Sequence, residues 1–121
     1  SRCGILGNKK DYPVRINVTG DEITGELNEL SLEIKKHWKE ASIIDMRSTR
    51  VYGDIRYLGV CNRLEEVNLN GTLVKGNVCV FEQLPQVKYI RLSYSMVEGG
   101  IEGFVNCCAL RELELLKSKV S

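Results

Sequence analysis

The feature that most constrains this chain is its self-similarity at a fixed step. Residues 64–78 read LEEVNLNGTLVKGNV and residues 87–101 read VKYIRLSYSMVEGGI. They match place for place, with apolar residues at the first, fourth, sixth, eleventh and fifteenth places and Gly at the thirteenth. ASIIDMRSTRVYGDI at 41–55 fits the same frame, and LRELELLKSKVS opens a further copy at 110, so the starts at 41, 64, 87 and 110 are each 23 residues apart. PVRINVTGDEITGEL at 13–27 also fits, with Pro13 in the first place and a longer step to the next copy. One such unit cannot bury its own apolar face, whereas stacked neighbours bury a continuous core. The period therefore predicts a solenoid rather than a closed globule.

Within each copy the fourth to sixth places, such as residues 67–69, read as a short strand, and the Gly marks a turn. Eight-residue segments, RYLGVCNR, CVFEQLPQ and EGFVNCCA, then return the chain. Their third places hold Leu58, Phe81 and Phe104 and their sixth places Cys61, Leu84 and Cys107, which is one apolar side of a single 3₁₀ or helical turn. The first return segment is longer, NELSLEIKKHWKE at 28–40, with Leu30, Ile34 and Trp38 four residues apart. That spacing predicts an amphipathic helix on the convex side.

The pattern L-x-x-L-x-L, ending in Gly-x-Ile or its Val equivalent, resembles leucine-rich repeats. It is closest to the plant-like subtype of 23 to 24 residues, in a divergent array of the kind found in algae and protists. The resemblance covers 13–121, after a lead-in at 1–12, and implies a short α/β horseshoe with a parallel concave sheet and a convex side of 3₁₀ or helical turns. Where the family carries a ladder of Asn, this chain has Asp21, Thr49, Thr72, Ser95 and Ser118, whose small polar groups can still bond the backbone at a turn. The Ile-Pro of plant receptor repeats is replaced by Glu26-Leu27, Asp54-Ile55, Asn77-Val78 and Gly100-Ile101.

Alternation along a strand sends the residues between core places to the concave face. The candidate contacts are Asp45, Arg47, Arg50, Asn68, Asn70, Tyr89, Arg91, Tyr94, Glu114 and Lys117, with the Tyr and Arg leading because they join large area to directional bonds. Two further surfaces are candidates. The fifth copy is half built and lacks a polar cap, so Leu110, Leu113, Leu115 and Val120 are expected at an open end, and Trp38 is the candidate contact on the convex helix.

The rest of the sequence argues against chemistry. The only His is His37, set among lysines and without a nucleophile in its motif, so no catalytic residue is expected. Metal binding would want paired Cys-x-x-Cys ligands, and the adjacent Cys107 and Cys108 do not supply them, so neither metal nor cofactor is implied. Seventeen Lys and Arg against sixteen Asp and Glu leave a net charge of +1, which offers no electrostatic footprint for nucleic acid. No run is long and apolar enough for direct membrane insertion, and no signal peptide is visible. Five cysteines cannot all pair internally, and stacked Cys61 and Cys107, two strand spacings or about 10 Å apart, are beyond disulfide reach. A cytoplasmic or organellar compartment is thus slightly favoured over secretion. Asn17-Val18-Thr19 and Asn70-Gly71-Thr72 are glycosylation sequons, but both fall on the expected binding face.

The expectation is therefore a non-enzymatic module that binds protein through its concave sheet and its ends. Alternatives are a fragment of a receptor-like ectodomain recognising an extracellular ligand, and an accessory subunit packed against a larger complex such as an organellar membrane assembly.

Overall fold

The structure, a computed structural model, describes residues 14–20, 22–29 and 38–121. Among the described residues ten strands follow one another in chain order: β1 (Val14–Asn17), β2 (Thr24–Glu26), β3 (Ala41–Asp45), β4 (Arg50–Asp54), β5 (Glu66–Asn68), β6 (Leu73–Asn77), β7 (Tyr89–Arg91), β8 (Met96–Gly99), β9 (Glu112–Glu114) and β10 (Lys119–Val120). The odd-numbered strands form one parallel sheet and the even-numbered strands a second. In the first, Ile44, Val67, Ile90 and Leu113 lie side by side, so neighbours across the sheet stand one repeat apart. Three 3₁₀ turns, Ile55–Val60, Val78–Gln83 and Ile101–Phe104, carry the chain back.

The second sheet is an addition to the single concave sheet expected from the repeat. Its signal is the alternation just before each Gly, where Val51, Val74 and Val97 are buried between exposed neighbours. Stretches of two to five residues, most of them bearing a positive-φ glycine, are too short and broken for that alternation to stand out.

Between the sheets and the 3₁₀ turns lies one apolar core. Leu64, Val67 and Leu69, their equivalents Val87, Ile90 and Leu92, and the inward valines of the second sheet are all fully buried. Each such side chain contributes about 1.5–3 kcal/mol by leaving water. Phe81 and Phe104 stack with ring centroids 5.5 Å apart, which ties consecutive 3₁₀ turns together. Residues 27–29 and Trp38 are helical, while Leu30, Ile34 and His37, and with them most of the helix expected at 28–40, lie outside the described residues, as do the 1–12 lead-in, Cys3 and Asp21.

Trp38 corrects an expectation. Its side chain is 1% exposed and its indole Nε1 donates to the Tyr57 carbonyl oxygen at 3.1 Å, so it plugs the core and offers no convex surface to a partner. An aromatic ring at the end of an apolar stripe gains more from burial than from solvent when its one donor finds a carbonyl.

The corners explain the repeat's polar places. Thr49, Thr72, Ser95 and Ser118 each donate a hydroxyl hydrogen bond to the carbonyl three residues earlier, at 2.6–2.8 Å. This is a ladder closed within each repeat rather than between repeats. Just before it the backbone turns left-handed, at Ser48 (φ 59°), Gly71 (φ 70°), Tyr94 (φ 56°) and Lys117 (φ 60°). Gly76 and Gly99 sit at φ 112° and 111°. A Cβ on Gly76 would lie 3.2 Å from the Ile55 nitrogen and 2.9 Å from Asp54 Cγ, so only Gly meets both the dihedral and the contact. The side chains that crowd those glycines are working caps. Asp54 accepts from Arg56 N and Asn77 from Cys79 N, both at 2.8 Å, at the starts of two 3₁₀ turns.

Cys61 and Cys107 are buried free thiols, as core hydrophobes should be. Burial pushes the Cys61 thiol up to about 12, and burial with a smaller effect of neighbouring Cys108 raises Cys107. At the C-terminal edge of both sheets, Leu110, Leu113, Leu115 and Val120 are half-buried and pack on the core from one side, whereas their equivalents Val87, Ile90, Leu92 and Val97 are fully buried.

Candidate protein-interaction surfaces

The first sheet turns the third, fifth and seventh places of each repeat outward, because its fourth and sixth places are committed to the core. At its centre stands Arg91 on β7. The guanidinium reaches Glu66 on β5 at 3.9 Å, Glu114 on β9 at 3.6 Å, and Glu112 on β9 through Nη2. It also lies 5.8 Å from the centroid of the Tyr89 ring. Three strands therefore converge on one cation, and one positive charge against three negative ones leaves the cluster acidic. Each pair is solvated and worth about 0–1 kcal/mol net, so the cluster orients side chains more than it stabilises the fold. A further pair, Lys88 with Glu65 at 3.5 Å, flanks it.

Beside this cluster the seventh places bond across repeats. Asn70 Oδ1 accepts from the Ser93 backbone N–H at 2.8 Å, and Ser93 Oγ accepts from the Leu116 N–H at 2.9 Å. The Asn70 amide then donates to Glu114 Oε1 at 3.1 Å. An amide can serve both neighbours at once because it carries acceptor and donor on one group. At the N-terminal side Asp45 holds Arg47, with Arg47 Nε 3.6 Å away and the Arg47 N–H donating to Asp45 Oδ1.

The structure thus brings Tyr89, Arg91, Asn70 and Glu114 together with Glu66 and Glu112, and sets Asp45 and Arg47 apart from them as a smaller pair. Others of the expected residues stand elsewhere. Asn68 stands on the outward face between Asp45 and Arg91, but it is 6% exposed and its Oδ1 accepts from Asn70 N at 3.1 Å, so it shapes the turn and leaves little surface for a partner. Arg50 begins β4 and belongs to the second sheet, opposite Thr24. Tyr94 and Lys117 occupy the left-handed corner between the sheets, which makes them rim residues rather than concave ones. Their period-2 assignment failed because the chain bends after the sixth place and alternation restarts on the second sheet.

Two features escaped the sequence reading. Gln86 reaches back one repeat to donate to the Leu64 carbonyl at 3.0 Å and, more weakly, to that of Cys61. Nothing in the frame marks that residue. Tyr52, Leu73 and Met96 are exposed on the outer face of the second sheet, with Tyr52 directly opposite Leu73. Among the described residues no group of three His, Cys, Asp or Glu could hold a metal, and no helix is long and apolar enough to cross a membrane.

No family model matches the chain, and no curated protein matches it. Solved structures do. The ectodomain of the receptor kinase SOBIR1 from Arabidopsis thaliana is similar at TM-score 0.74 and 17% identity, over 88% of this chain and 57% of that one. The ectodomain of the membrane receptor kinase GASSHO1/SCHENGEN3 from the same plant, in complex with CASPARIAN STRIP INTEGRITY FACTOR 2, also reaches 0.74, at 24% identity over 95% of this chain and 14% of that one. The plant peptide hormone receptor RGFR1, in complex with RGF2, gives 0.61 at 14% identity over 88% and 20%. The chain spans only part of the length of each. With a 23-residue step, two parallel sheets and 3₁₀ returns, it has the leucine-rich-repeat fold, as a short α/β solenoid segment.

Proposed function

We propose that this solenoid is a non-enzymatic protein-interaction module whose concave sheet is the contact surface, centred on Tyr89, Arg91, Glu112 and Glu114. The observation that carries this is the convergence of three strands on Arg91. It holds an aromatic ring, a guanidinium and three carboxylates in defined positions on a rigid sheet, so little side-chain freedom remains to be lost when a protein docks. Arg47 and Asp45 extend the same surface toward β1. Because Glu66, Glu112 and Glu114 outnumber Arg91, a partner presenting Lys or Arg suits the centre of this face.

A receptor-like ectodomain segment is the second reading, and the solved relatives motivate it. One is a plant peptide hormone receptor in complex with RGF2, and another is a receptor kinase ectodomain in complex with CASPARIAN STRIP INTEGRITY FACTOR 2. Docking as an accessory subunit through the half-buried C-terminal edge of Leu110, Leu113, Leu115 and Val120 ranks after it.

Photo-crosslinking residues placed at 89 and 112, with Val105 on the exposed convex side as control, test the concave reading in native extract. The expected result is one protein crosslinked from 89 and 112, lost on adding excess unlabelled chain and absent from 105. Equal crosslinking from all three positions, or from 105 alone, would reject the concave face.

A further inference from the structure

The two sequons are equivalent in sequence but not in the fold. Asn70 is held at every polar atom: its amide oxygen accepts from Ser93 N at 2.8 Å, its amide nitrogen donates to Glu114 at 3.1 Å, and its backbone N–H is taken by Asn68 Oδ1. The hydroxyl of the same sequon, on Thr72, is 3% exposed and donates to the Leu69 carbonyl at 2.8 Å. A glycan on Asn70 Nδ2 would take one of the two N–H groups of an amide that already spans to Glu114 on β9, and would press the sugar against that strand. Asn17, by contrast, is exposed at the end of β1, with Val18 and Thr19 exposed after it. Among the described residues no hydrogen bond engages the Asn17 or Thr19 side chain.

We propose that Asn17 is the N-glycan acceptor of this chain in a secretory compartment and that Asn70 stays unmodified. The step joins the amide nitrogen of Asn17 to the anomeric carbon of a lipid-pyrophosphate-linked oligosaccharide. One amide N–H is exchanged for an N–C bond, the lipid pyrophosphate leaves with the sugar's bonding electrons, and the displaced proton goes to solvent. The chain's own contribution is access: an exposed sequon whose Thr hydroxyl is free to pair with the Asn amide.

The position also fits a working concave face. Asn17 stands opposite Asp45 on β3, and β5 lies between β3 and the Arg91 strand. Three strand spacings of about 4.8 Å thus separate Asn17 from Arg91, roughly 14 Å. A sugar at Asn17 is thus attached beside Asp45, at the edge of the proposed contact surface and three strands from its centre.

The test is secretion of the full chain from eukaryotic cells behind a cleavable signal sequence, followed by enzymatic deglycosylation in ¹⁸O water and peptide mapping. Isotope incorporation at residue 17 is expected in most molecules, and at residue 70 in fewer than about a tenth of them. Asn17→Gln and Thr19→Ala should each abolish the mobility shift on deglycosylation, while Asn70→Gln should leave it. Label at 70 equal to or above that at 17, or an unlabelled residue 17 in the secreted protein, would overturn the proposal. Mapping of the unsubstituted chain decides the matter even where a variant is retained in the cell.

Discussion

The two parallel sheets of this solenoid share one core and treat their outer faces in opposite ways. On the first sheet the outward groups are charged or amide side chains that bond to one another across repeats, as Arg91 does with Glu66, Glu112 and Glu114 and Asn70 does with Ser93 and Glu114. On the second sheet the outward groups include Tyr52, Leu73 and Met96, each about half exposed, and the charged Arg50, Lys75, Glu98 and Lys119, none of which forms an ion pair among the described residues. The inward valines and isoleucines hardly differ between the sheets. The core places therefore answer to packing alone, and the outward places are where neighbouring repeats are free to diverge. A face whose polar groups are held by one another is suited to recognition, whereas a face of independent side chains is suited to substitution.

The sharpest way to break this contrast is at the second sheet's backbone. Gly76→Ala forces an L residue to φ 112° and displaces the Asp54 cap, and should lower unfolding free energy by about 2–3 kcal/mol in urea titrations. A loss below about 1 kcal/mol would mean that the second sheet does not need its close stacking on the preceding repeat.

Alkaline pH probes the core that both sheets share. The Cys61 thiol rises from its ordinary 9.0 to about 12 on folding because it is buried, so the folded state keeps a proton that the unfolded chain releases. Its contribution is fully present below pH 9 and declines as pH climbs toward 12, by up to about 1.4 kcal/mol per pH unit. Wild type should therefore lose stability more steeply than Cys61→Ala between pH 9 and 11, and parallel slopes would place the thiol in contact with water.

On the first sheet, Arg91→Ala leaves Glu66, Glu112 and Glu114 facing one another. It should cost about 1 kcal/mol at low ionic strength, and the difference should shrink in about 1 M salt, where screening acts within roughly 3 Å. A loss indifferent to salt would point to packing by the Arg91 stem instead. The smallest effect belongs to the second sheet's outer face. Leu73→Ser should change stability by less than about 0.5 kcal/mol, since the side chain is already 51% exposed. Thermal melts that fall by several degrees would show Leu73 packed against something.

The frame of the fold was legible because it is a matter of period. Val67 and Ile90 had to point inward for any stack of such units to hide its apolar face. The repeat glycines, expected at a turn, instead lie within strands of the second sheet, Gly76 in β6 and Gly99 at the end of β8, at positive φ. The concave surface was legible in part. Tyr89, Arg91 and Glu114 follow from alternation, but alternation cannot say that Asn68 is covered on its own face while it holds the turn, that Arg50 crosses to the second sheet, or that Tyr94 stands at the rim. Trp38 likewise ends an apolar stripe that could face a partner or the core, and what settles its burial, the Tyr57 carbonyl that accepts its hydrogen bond, lies 19 residues away.

What the sequence by itself determined is therefore the step, the inward places and the places where only glycine fits, all set by short-range geometry repeated along the chain. What only the tertiary structure decided is which outward side chains meet. Asn70 and Glu114 are 44 residues apart and become partners only when repeats stack at strand spacing, and that same contact is what separates Asn70 from Asn17 as a place for chemistry.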